Sequence, residues 1–278
     1  MKILKLIFYD LKQGTKYNNY RWLLPVVLGI LGPLMFIQMY DLVYGGHENA
    51  TLLECAMYLY RGAKYITPEQ LSSMYTLPAL WLGVQIVIGF LVGYYPVDDI
   101  HTYGQQVLIR SRKRVDWWIS KCVWNVATVV MSYAIIDLVI LVMCVIFGMD
   151  INLTFSDDVF VSAVLEMHSC TGTLKQAIIF TFIMPVVVSV AVSLMQMTLS
   201  MIISPMVGFI IVETLALFAT MLTNPVFIHN YGMLAHSIIA SPTNIKYSTG
   251  CVVCLLIAVV SVVVGAVYFE KYNVLAKE

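Results

Sequence analysis

The feature that most constrains this sequence is a series of long apolar runs, such as AIIDLVILVMCVIF at residues 134–147. Hydrophobic residues make up 60% of the chain and charged residues only 12%, against about 25% charged in a typical soluble domain. About 20 mostly apolar residues are needed for a helix to cross the hydrocarbon core of a bilayer. The runs lack the alternation of a membrane β-barrel. We therefore expect an all-α polytopic membrane protein.

An apolar window of that length predicts six transmembrane helices within one transmembrane domain, residues 1–278. The predicted spans are residues 22–40, 77–95, 122–147, 176–201, 205–223 and 249–269. The first residues contain lysines but no small-residue cleavage site, so we expect no removable signal peptide.

The positions of the basic residues predict the orientation of the spans. With the amino terminus inside, twelve of the 16 Lys and Arg residues fall on the inner side. Cytoplasmic loops carry such an excess of positive charge. We therefore expect a multi-pass protein of the plasma membrane with both termini in the cytoplasm and residues 96–121 as a cytoplasmic loop.

Residues 1–21 have apolar side chains at near-helical spacing, whereas Lys2, Lys5, Asp10 and Lys12 occupy the positions between them. This pattern predicts an amphipathic helix lying in the inner membrane surface, with its lysines toward anionic lipid headgroups. Membrane lipid is therefore an expected partner. The alternative is a charged cytoplasmic stub.

The stretch from Asn224 to Tyr247 is apolar but interrupted by Asn, His and Pro residues. Treated as a seventh span, it would move the carboxy-terminal lysines outside. We therefore expect a re-entrant or interfacial outer element between spans five and six. Cys55 and Cys170 lie in the two long outer loops of this topology, where they could either pair or remain free.

Catalytic motifs are missing from the sequence. It contains no nucleotide-binding GxxxxGK[ST] loop, no HExxH, no GxSxG, and no cluster of His, Cys and acidic residues at metal-ligand spacing. We expect neither an enzyme nor a metal site, and no nucleic-acid partner. The chain should not hydrolyse ATP itself.

The inner loop between spans two and three is the most informative segment. Asp98 and Asp99 could cap a short helix, and Gly104 lies inside it. A basic block follows, and Trp117 and Trp118 mark re-entry at the membrane interface. The basic block consists of Arg110, Arg112, Lys113 and Arg114. The alternative is a cytoplasmic loop whose positive charge only reflects its side of the membrane. This alternative would explain the basic block but not the helix that precedes it.

In this loop the chain resembles the type-2 ABC exporter permeases. Their corresponding loop has an acidic residue, then a Gly, a hydrophobic pair, a basic patch and a Lys that opens the next span. Asp98 and Asp99, Gly104, Val107 and Leu108, Arg110 to Arg114, and Lys121 match this order. The amphipathic amino terminus, six spans and outer element also match.

The resemblance implies that residues 98–112 form a coupling helix in a groove of a separate ATP-binding-cassette ATPase. ATP and Mg would be bound by that partner chain, and no cofactor by this one. It also implies pairing with a second permease subunit, identical or different.

Two acids, Asp137 and Glu213, fall near the middle of spans three and five. Each costs about 2.5–3.5 kcal/mol there, and no Lys or Arg within a span offers a partner. They could line a substrate path or a dimer seam, or form neutral hydrogen bonds between helices. Gly89 and Gly93 form a GxxxG pattern that permits close helix approach, to a neighbour or a partner.

The leading hypothesis is a permease subunit that exports a hydrophobic or amphipathic peptide or drug-like molecule. One alternative is an ion- or proton-coupled carrier that uses Asp137 and Glu213. Another is a membrane immunity or scaffold protein.

Overall fold

The computed structural model describes residues 3–64, 75–110, 114–155, 159–167, 173–240 and 245–271. These residues are predominantly helical. The helices are α1 (Ile3–Tyr17), α2 (Leu23–Tyr44), α3 (Leu52–Tyr60), α4 (Ala79–Val92), α5 (Tyr95–Ile100), α6 (Tyr103–Arg110), α7 (Arg114–Ile146), α8 (Leu174–Ile202), α9 (Pro205–Met221) and α10 (Tyr247–Lys271). A π-helical segment, Ile179–Ile183, lies within α8.

Five helical stretches in the described part of the chain are long and apolar enough to cross a membrane. They are Asn19–Tyr44, Ala79–Ile100, Arg114–Ile146, Leu174–Ile202 and Tyr247–Lys271. These stretches overlap five of the six predicted spans, but Ala79–Ile100 and Arg114–Ile146 extend into the loop predicted at residues 96–121. Helix α9, at the position of the remaining span, is apolar but has only 17 residues. The chain is thus a multi-pass helical membrane protein, and the sixth span stays a prediction.

Helix α8 lies at the centre of the bundle and packs against α4, α7, α9 and α10. Many of its side chains are buried, whereas α7 and α10 leave large apolar side chains exposed. Leu138, Leu255 and Leu256, for example, are each more than half exposed. A continuous apolar face of this kind is what lipid contact requires.

The segment between α2 and α4, which is predicted to be the first outer loop, contains α3, and this helix begins with a capping box. The Thr51 hydroxyl accepts from the Glu54 backbone N–H, and the Glu54 carboxylate accepts from the Thr51 N–H. The helix is buried between α2, α4 and α7 rather than lying on the surface. Cys55 of α3 is a free, buried thiol. Cys170, its proposed disulfide partner, lies outside the described residues.

The outer element between α9 and α10 folds into two short 3-10 helices, Ile228–Gly232 and Leu234–His236. Their residues are buried. The Ala235 N–H donates to the Arg61 carbonyl at 2.9 Å, and the Trp81 indole N–H donates to the Gly232 carbonyl at 3.2 Å. The element therefore folds into turns packed on the ends of α3 and α4. Its re-entrant position in a bilayer stays a prediction.

Candidate functional site

Helix α1 packs on α7 through a narrow face. Leu6, Asp10 and Gly14 recur every four residues, which places them on one side of the helix, and all three are buried. A Cβ at Gly14 would overlap the Trp124 ring, so glycine allows the close approach. Leu4 and other apolar residues point away from α7 and are exposed. The predicted helix is present, but Asp10 lies on its buried face rather than among the solvated polar residues.

A buried ion cluster forms where α1, α5 and α7 meet. The Lys121 ammonium lies 2.6 Å from Asp10 Oδ1 and 2.7 Å from Asp99 Oδ2. The side chains of Lys121, Asp10 and Asp99 are 0%, 1% and 5% exposed. We call these three residues the Lys121 cluster. It connects a residue of the amino-terminal helix with the segment between spans two and three.

Neutral donors complete the Lys121 cluster. The Tyr95 hydroxyl donates to Asp10 Oδ1 at 3.0 Å, and the Ser120 hydroxyl donates to Asp10 Oδ2. The Trp117 indole N–H donates to Asp99 Oδ2 at 3.1 Å. Two carboxylates therefore share one ammonium and three further hydrogens. Burying a charged group costs free energy unless the group is paired with an opposite charge and its hydrogen bonds are formed, as they are here.

Gly104, in the predicted coupling helix, has a packing role in the same place. A Cβ on this residue would overlap the Asp99 carboxylate and lie 2.9 Å from the Trp117 indole nitrogen. Glycine at this position lets the first turn of α6 lie directly on the Lys121 cluster.

The residues predicted to contact an ATPase divide between two faces of the α5–α6 segment. Asp98 is exposed and accepts a hydrogen bond from the Tyr17 hydroxyl. Leu108 is buried and Val107 packs beside it, in an apolar cluster that includes Trp118 and Phe269. Arg110 is the last residue of α6, and Arg112 lies outside the described residues. The hydrophobic pair therefore packs inward, and the exposed residues of the segment are Asp98, His101, Thr102, Tyr103 and Gln106.

The predicted cap by Asp98 and Asp99 concerns the helix that contains Gly104, which is α6, and it stays a prediction. Helix α5 has Tyr94 at its N-cap position, with no side-chain capping bond, and Asp99 near its end. The Asp99 carboxylate is occupied by Lys121 and Trp117.

The two intramembrane acids have different neighbours. The Tyr60 hydroxyl at the end of α3 donates to Asp137 Oδ1 at 2.9 Å, which favours the hydrogen-bonding alternative for Asp137. Both carboxylate oxygens of Glu213 are buried without a hydrogen-bond partner among the described residues. The two acids therefore do not share their immediate neighbours.

Gly89 of α4 lies directly against the Glu213 carboxylate. A Cβ at Gly89 would lie 2.8 Å from Glu213 Oε1 and 3.0 Å from Gln196 Oε1. The Gln196 side-chain amide donates to the Gly89 carbonyl at 2.8 Å. Gly93 also lies against Gln196. The GxxxG glycines thus contact α8 and α9 of the same chain. Two hydrogen-bond acceptors, Glu213 Oε1 and Gln196 Oε1, lie close to Gly89 where these helices meet.

Helix α8 carries a buried polar stripe that sequence analysis did not single out. Its members recur every three or four residues, and they are Ser189, Ser193, Gln196 and Ser200. The Ser193 hydroxyl donates to Asn125 Oδ1 at 2.6 Å, and the Ser189 hydroxyl donates to Gln85 Oε1 at 3.2 Å. The period of these residues was visible in the sequence, but their partners on α4 and α7 were not.

The outer element holds two buried histidines. His236 Nδ1 lies 2.8 Å from Asn230 Oδ1, whereas both ring nitrogens of His229 lack a partner among the described residues. Burial lowers the pKa of each of them to about 4. Both rings are therefore neutral at physiological pH. The described residues include no group of three or more His, Cys, Asp or Glu side chains that could hold a metal ion.

The fold and these sites define a multi-pass helical membrane protein whose amino-terminal helix is held by buried charges. Residues 35–275 match the model of a family described as "Protein of unknown function (DUF2705)", and the chain belongs to that family. No curated protein matches the chain.

Proposed function

We propose that the chain is the membrane-spanning subunit of an ATP-driven exporter, with both termini in the cytoplasm and the ATPase on a separate chain. The observation that carries the proposal is the attachment of the α5–α6 segment. Asp99 of this segment is bound to Lys121 of α7, and Lys121 is bound to Asp10 of α1. The segment is thereby fixed to the long helix that follows it.

Transmission of movement from a soluble partner requires such a stiff connection. Coupling between distant sites depends on packed elements that move as units rather than on flexible loops. The buried side of α5–α6 is held by Asp99, Gly104 and Leu108. Its exposed side presents His101, Thr102, Tyr103 and Gln106. We assign the contact with an ATPase to this exposed side, and the rigidity to the buried one.

The cargo would be hydrophobic or amphipathic. Within the described bundle, α8 is surrounded by packed helices, and its polar stripe is largely used in hydrogen bonds to α4 and α7. Packing of this kind leaves little room for a hydrophilic path through one copy. A second permease copy would supply the other wall of the path, and exposed apolar faces are available for that contact.

Co-purification with an ATP-binding-cassette subunit encoded beside the chain tests this proposal. Replacing both His101 and Gln106 by Glu changes the exposed side without touching the buried one. We expect the amount of ATPase recovered with the permease to fall at least about tenfold, which corresponds to about 1.4 kcal/mol. The control is Asn49→Glu, an exposed position in the first outer loop, and it should leave recovery unchanged.

Recovery of the same amount of ATPase from the double variant would contradict the assigned face. Transport into vesicles without ATP would contradict the ATP-driven class.

A proton- or ion-coupled carrier is the second candidate, because Glu213 has no partner among the described residues. Membrane-buried acids without a counter-charge are a feature of proton relays. This candidate requires that transport follow an imposed proton gradient in ATP-free vesicles and that Glu213→Gln abolish it. An exporter driven by ATP would retain its dependence on the nucleotide in the same variant.

A further inference from the structure

A cleft of about 380 Å³ opens between α1 and the α5–α6 segment. Its walls contain four tyrosine side chains, two acids and one base, and these are Tyr9, Tyr17, Tyr95, Tyr103, Asp98, Asp99 and Lys16. Asp99 is already bound to Lys121, which leaves Asp98 as the acid for a ligand. Asp98 and Lys16 are exposed. The exporter proposal assigns Thr102 and Tyr103, which line this cleft, to the contact with an ATPase, but it gives no ligand to the cleft itself.

The tyrosines form two pairs of rings. The rings of Tyr9 and Tyr103 lie 4.6 Å apart, and those of Tyr17 and Tyr95 lie 5.5 Å apart. Each pair joins α1 to the α5–α6 segment. Aromatic faces attract ammonium groups. The Arg21 guanidinium lies 5.0 Å from the Tyr17 ring and the Lys121 ammonium 4.4 Å from the Tyr95 ring. The Tyr9–Tyr103 pair therefore offers the rings for a bound organic cation.

The acid of the cleft is held in place by one of the tyrosines. The Tyr17 hydroxyl donates to Asp98 Oδ2, and burial, followed by this bond to Asp98, raises the pKa of Tyr17. Tyr17 therefore remains a donor at neutral pH and orients the Asp98 side chain. A carboxylate beside aromatic rings favours a primary ammonium, which can both donate hydrogen bonds and lie against the rings.

Lys16 makes the cleft unsuitable for a ligand that is only cationic. A single basic side chain from a protein partner would be repelled by this ammonium. A ligand that carries an ammonium and a phosphate separated by two carbons would satisfy both ends, since Lys groups bind phosphate as point charges. Phosphoethanolamine has this composition, and a cleft of this volume can enclose a group of its size.

The position of α1 indicates the source of such a group. Leu4 and Phe8 of this helix are 63% and 72% exposed, as expected for a helix that lies in the membrane surface. A lipid headgroup would be presented at that depth.

We propose that the cleft binds the headgroup of phosphatidylethanolamine, with the ammonium at Asp98 and the tyrosine rings and the phosphate at Lys16. The bound lipid contacts both α1 and the α5–α6 segment at the exposed surface of the protein, beside the Lys121 cluster. This proposal does not depend on an ATPase partner and holds for an exporter or a carrier.

Native mass spectrometry of the full chain, offered equal amounts of phosphatidylethanolamine and phosphatidylglycerol, tests the proposal. We expect phosphatidylethanolamine to be retained about two- to fivefold over phosphatidylglycerol, the ratio that a single exposed cation–π contact of about 0.5–1 kcal/mol provides. Asp98→Asn and Tyr103→Leu should each bring the two lipids close to parity. Lys16→Gln should reduce retention of phosphatidylethanolamine by a similar factor.

Matched controls lie on the same part of the chain. Lys12→Gln changes an exposed lysine of α1 that does not line the cleft, and Tyr20→Leu changes a tyrosine that is 83% exposed outside it. Both should bind lipid as the unaltered protein does. Equal retention of the two lipids, or an equal loss in the controls and the cleft variants, would overturn the proposal.

Soluble phosphoethanolamine distinguishes the two possible sources of the headgroup. It should displace the lipid only at concentrations far above that of the lipid, because it lacks the chains that hold the lipid at the membrane surface. Displacement at equal concentration would identify a soluble ligand and overturn the lipid assignment.

Discussion

Two sites in this molecule remove carboxyl groups from water, and they do so in opposite ways. In the Lys121 cluster, Asp10 and Asp99 share an ammonium and accept three further hydrogen bonds. At the α4–α9 contact, the carboxylate oxygens of Glu213 are buried with no hydrogen-bond partner among the described residues. The first arrangement uses its polar atoms to hold helices together. The second leaves polar atoms available for a proton or a ligand.

The difference predicts opposite responses to substitution. Breaking a buried ion pair from one side leaves an uncompensated charge and costs about 3–5 kcal/mol. Removing a charge that has no partner removes a desolvation cost and so costs little or nothing. The predictions below compare the two sites on this basis, beginning with the largest expected effect.

Lys121→Met retains the length of the side chain and removes its charge. Asp10 and Asp99 would then face each other in a buried site without a cation, so we expect a loss of about 3–5 kcal/mol in stability. Thermal unfolding of the purified protein, followed by tryptophan fluorescence, measures it. The control is Lys12→Met, an exposed lysine of α1, which should unfold with the wild type. An unchanged melting temperature for Lys121→Met would show that the Lys121 cluster does not stabilise the packing of these helices.

The segment between α9 and α10 provides a test of histidine burial by pH. His229 and His236 have pKa values of about 4 in the fold and about 6.5 when unfolded. Their contribution to stability is complete above pH 6.5. Because the unfolded state binds more protons below that pH, stability falls by about 1.4 kcal/mol per pH unit for each histidine as the pH approaches 4.

Hydrogen exchange of residues 228–240 at pH 7 and pH 5, corrected for the intrinsic rate, measures this loss. His229→Leu should reduce the pH dependence, whereas His47→Gln, in the first outer loop, should not. Equal protection at the two pH values would show that the histidines are not buried as described.

Gly104→Ala tests how closely α6 lies on the Lys121 cluster. The added methyl group overlaps the Asp99 carboxylate, and overpacking of this kind costs about 1–3 kcal/mol. Gly46→Ala is the matched control, since a Cβ there meets nothing within 4 Å. Thermal unfolding of the two variants should separate them, and coincident curves would contradict the close contact.

Glu213→Gln should have the smallest effect on stability, within about 1 kcal/mol of wild type or above it, because no bond is lost and no charge remains buried. The same substitution is expected to alter transport if Glu213 takes part in it. A loss of stability comparable to that of Lys121→Met would contradict the claim that Glu213, unlike Asp10 and Asp99, has no stabilising partner.

The sequence allowed the helical membrane class, five apolar helices and the amphipathic α1 to be predicted, because each depends on the spacing of apolar residues along the chain. It also singled out Gly104 and Lys121 as part of one segment. It did not indicate that Asp10 would meet Lys121, since these residues are brought together only by the packing of α1 on α7.

Long-range partners account for the other missed features. Tyr60, which donates to Asp137, comes from a buried helix in what looked like a surface loop. Val107 and Leu108 were expected to face an ATPase because the resemblance to type-2 ABC exporter permeases implied that contact. Leu108 instead lies in one buried apolar cluster with Trp118 and Phe269. These residues are distant in sequence, so no local pattern predicts the contact.

The exporter proposal depends on one placement above all: the α5–α6 segment, which the Lys121 cluster fixes to α7, is proposed to lie on the cytoplasmic side of the membrane. Labelling with a membrane-impermeant maleimide, in a background without native cysteines, tests it most directly through single cysteines at Gln106 of α6 and at Asn49 of the first outer loop. We predict that intact cells label Asn49→Cys and not Gln106→Cys, and that inverted vesicles label Gln106→Cys. Labelling of Gln106→Cys from outside intact cells would contradict the account.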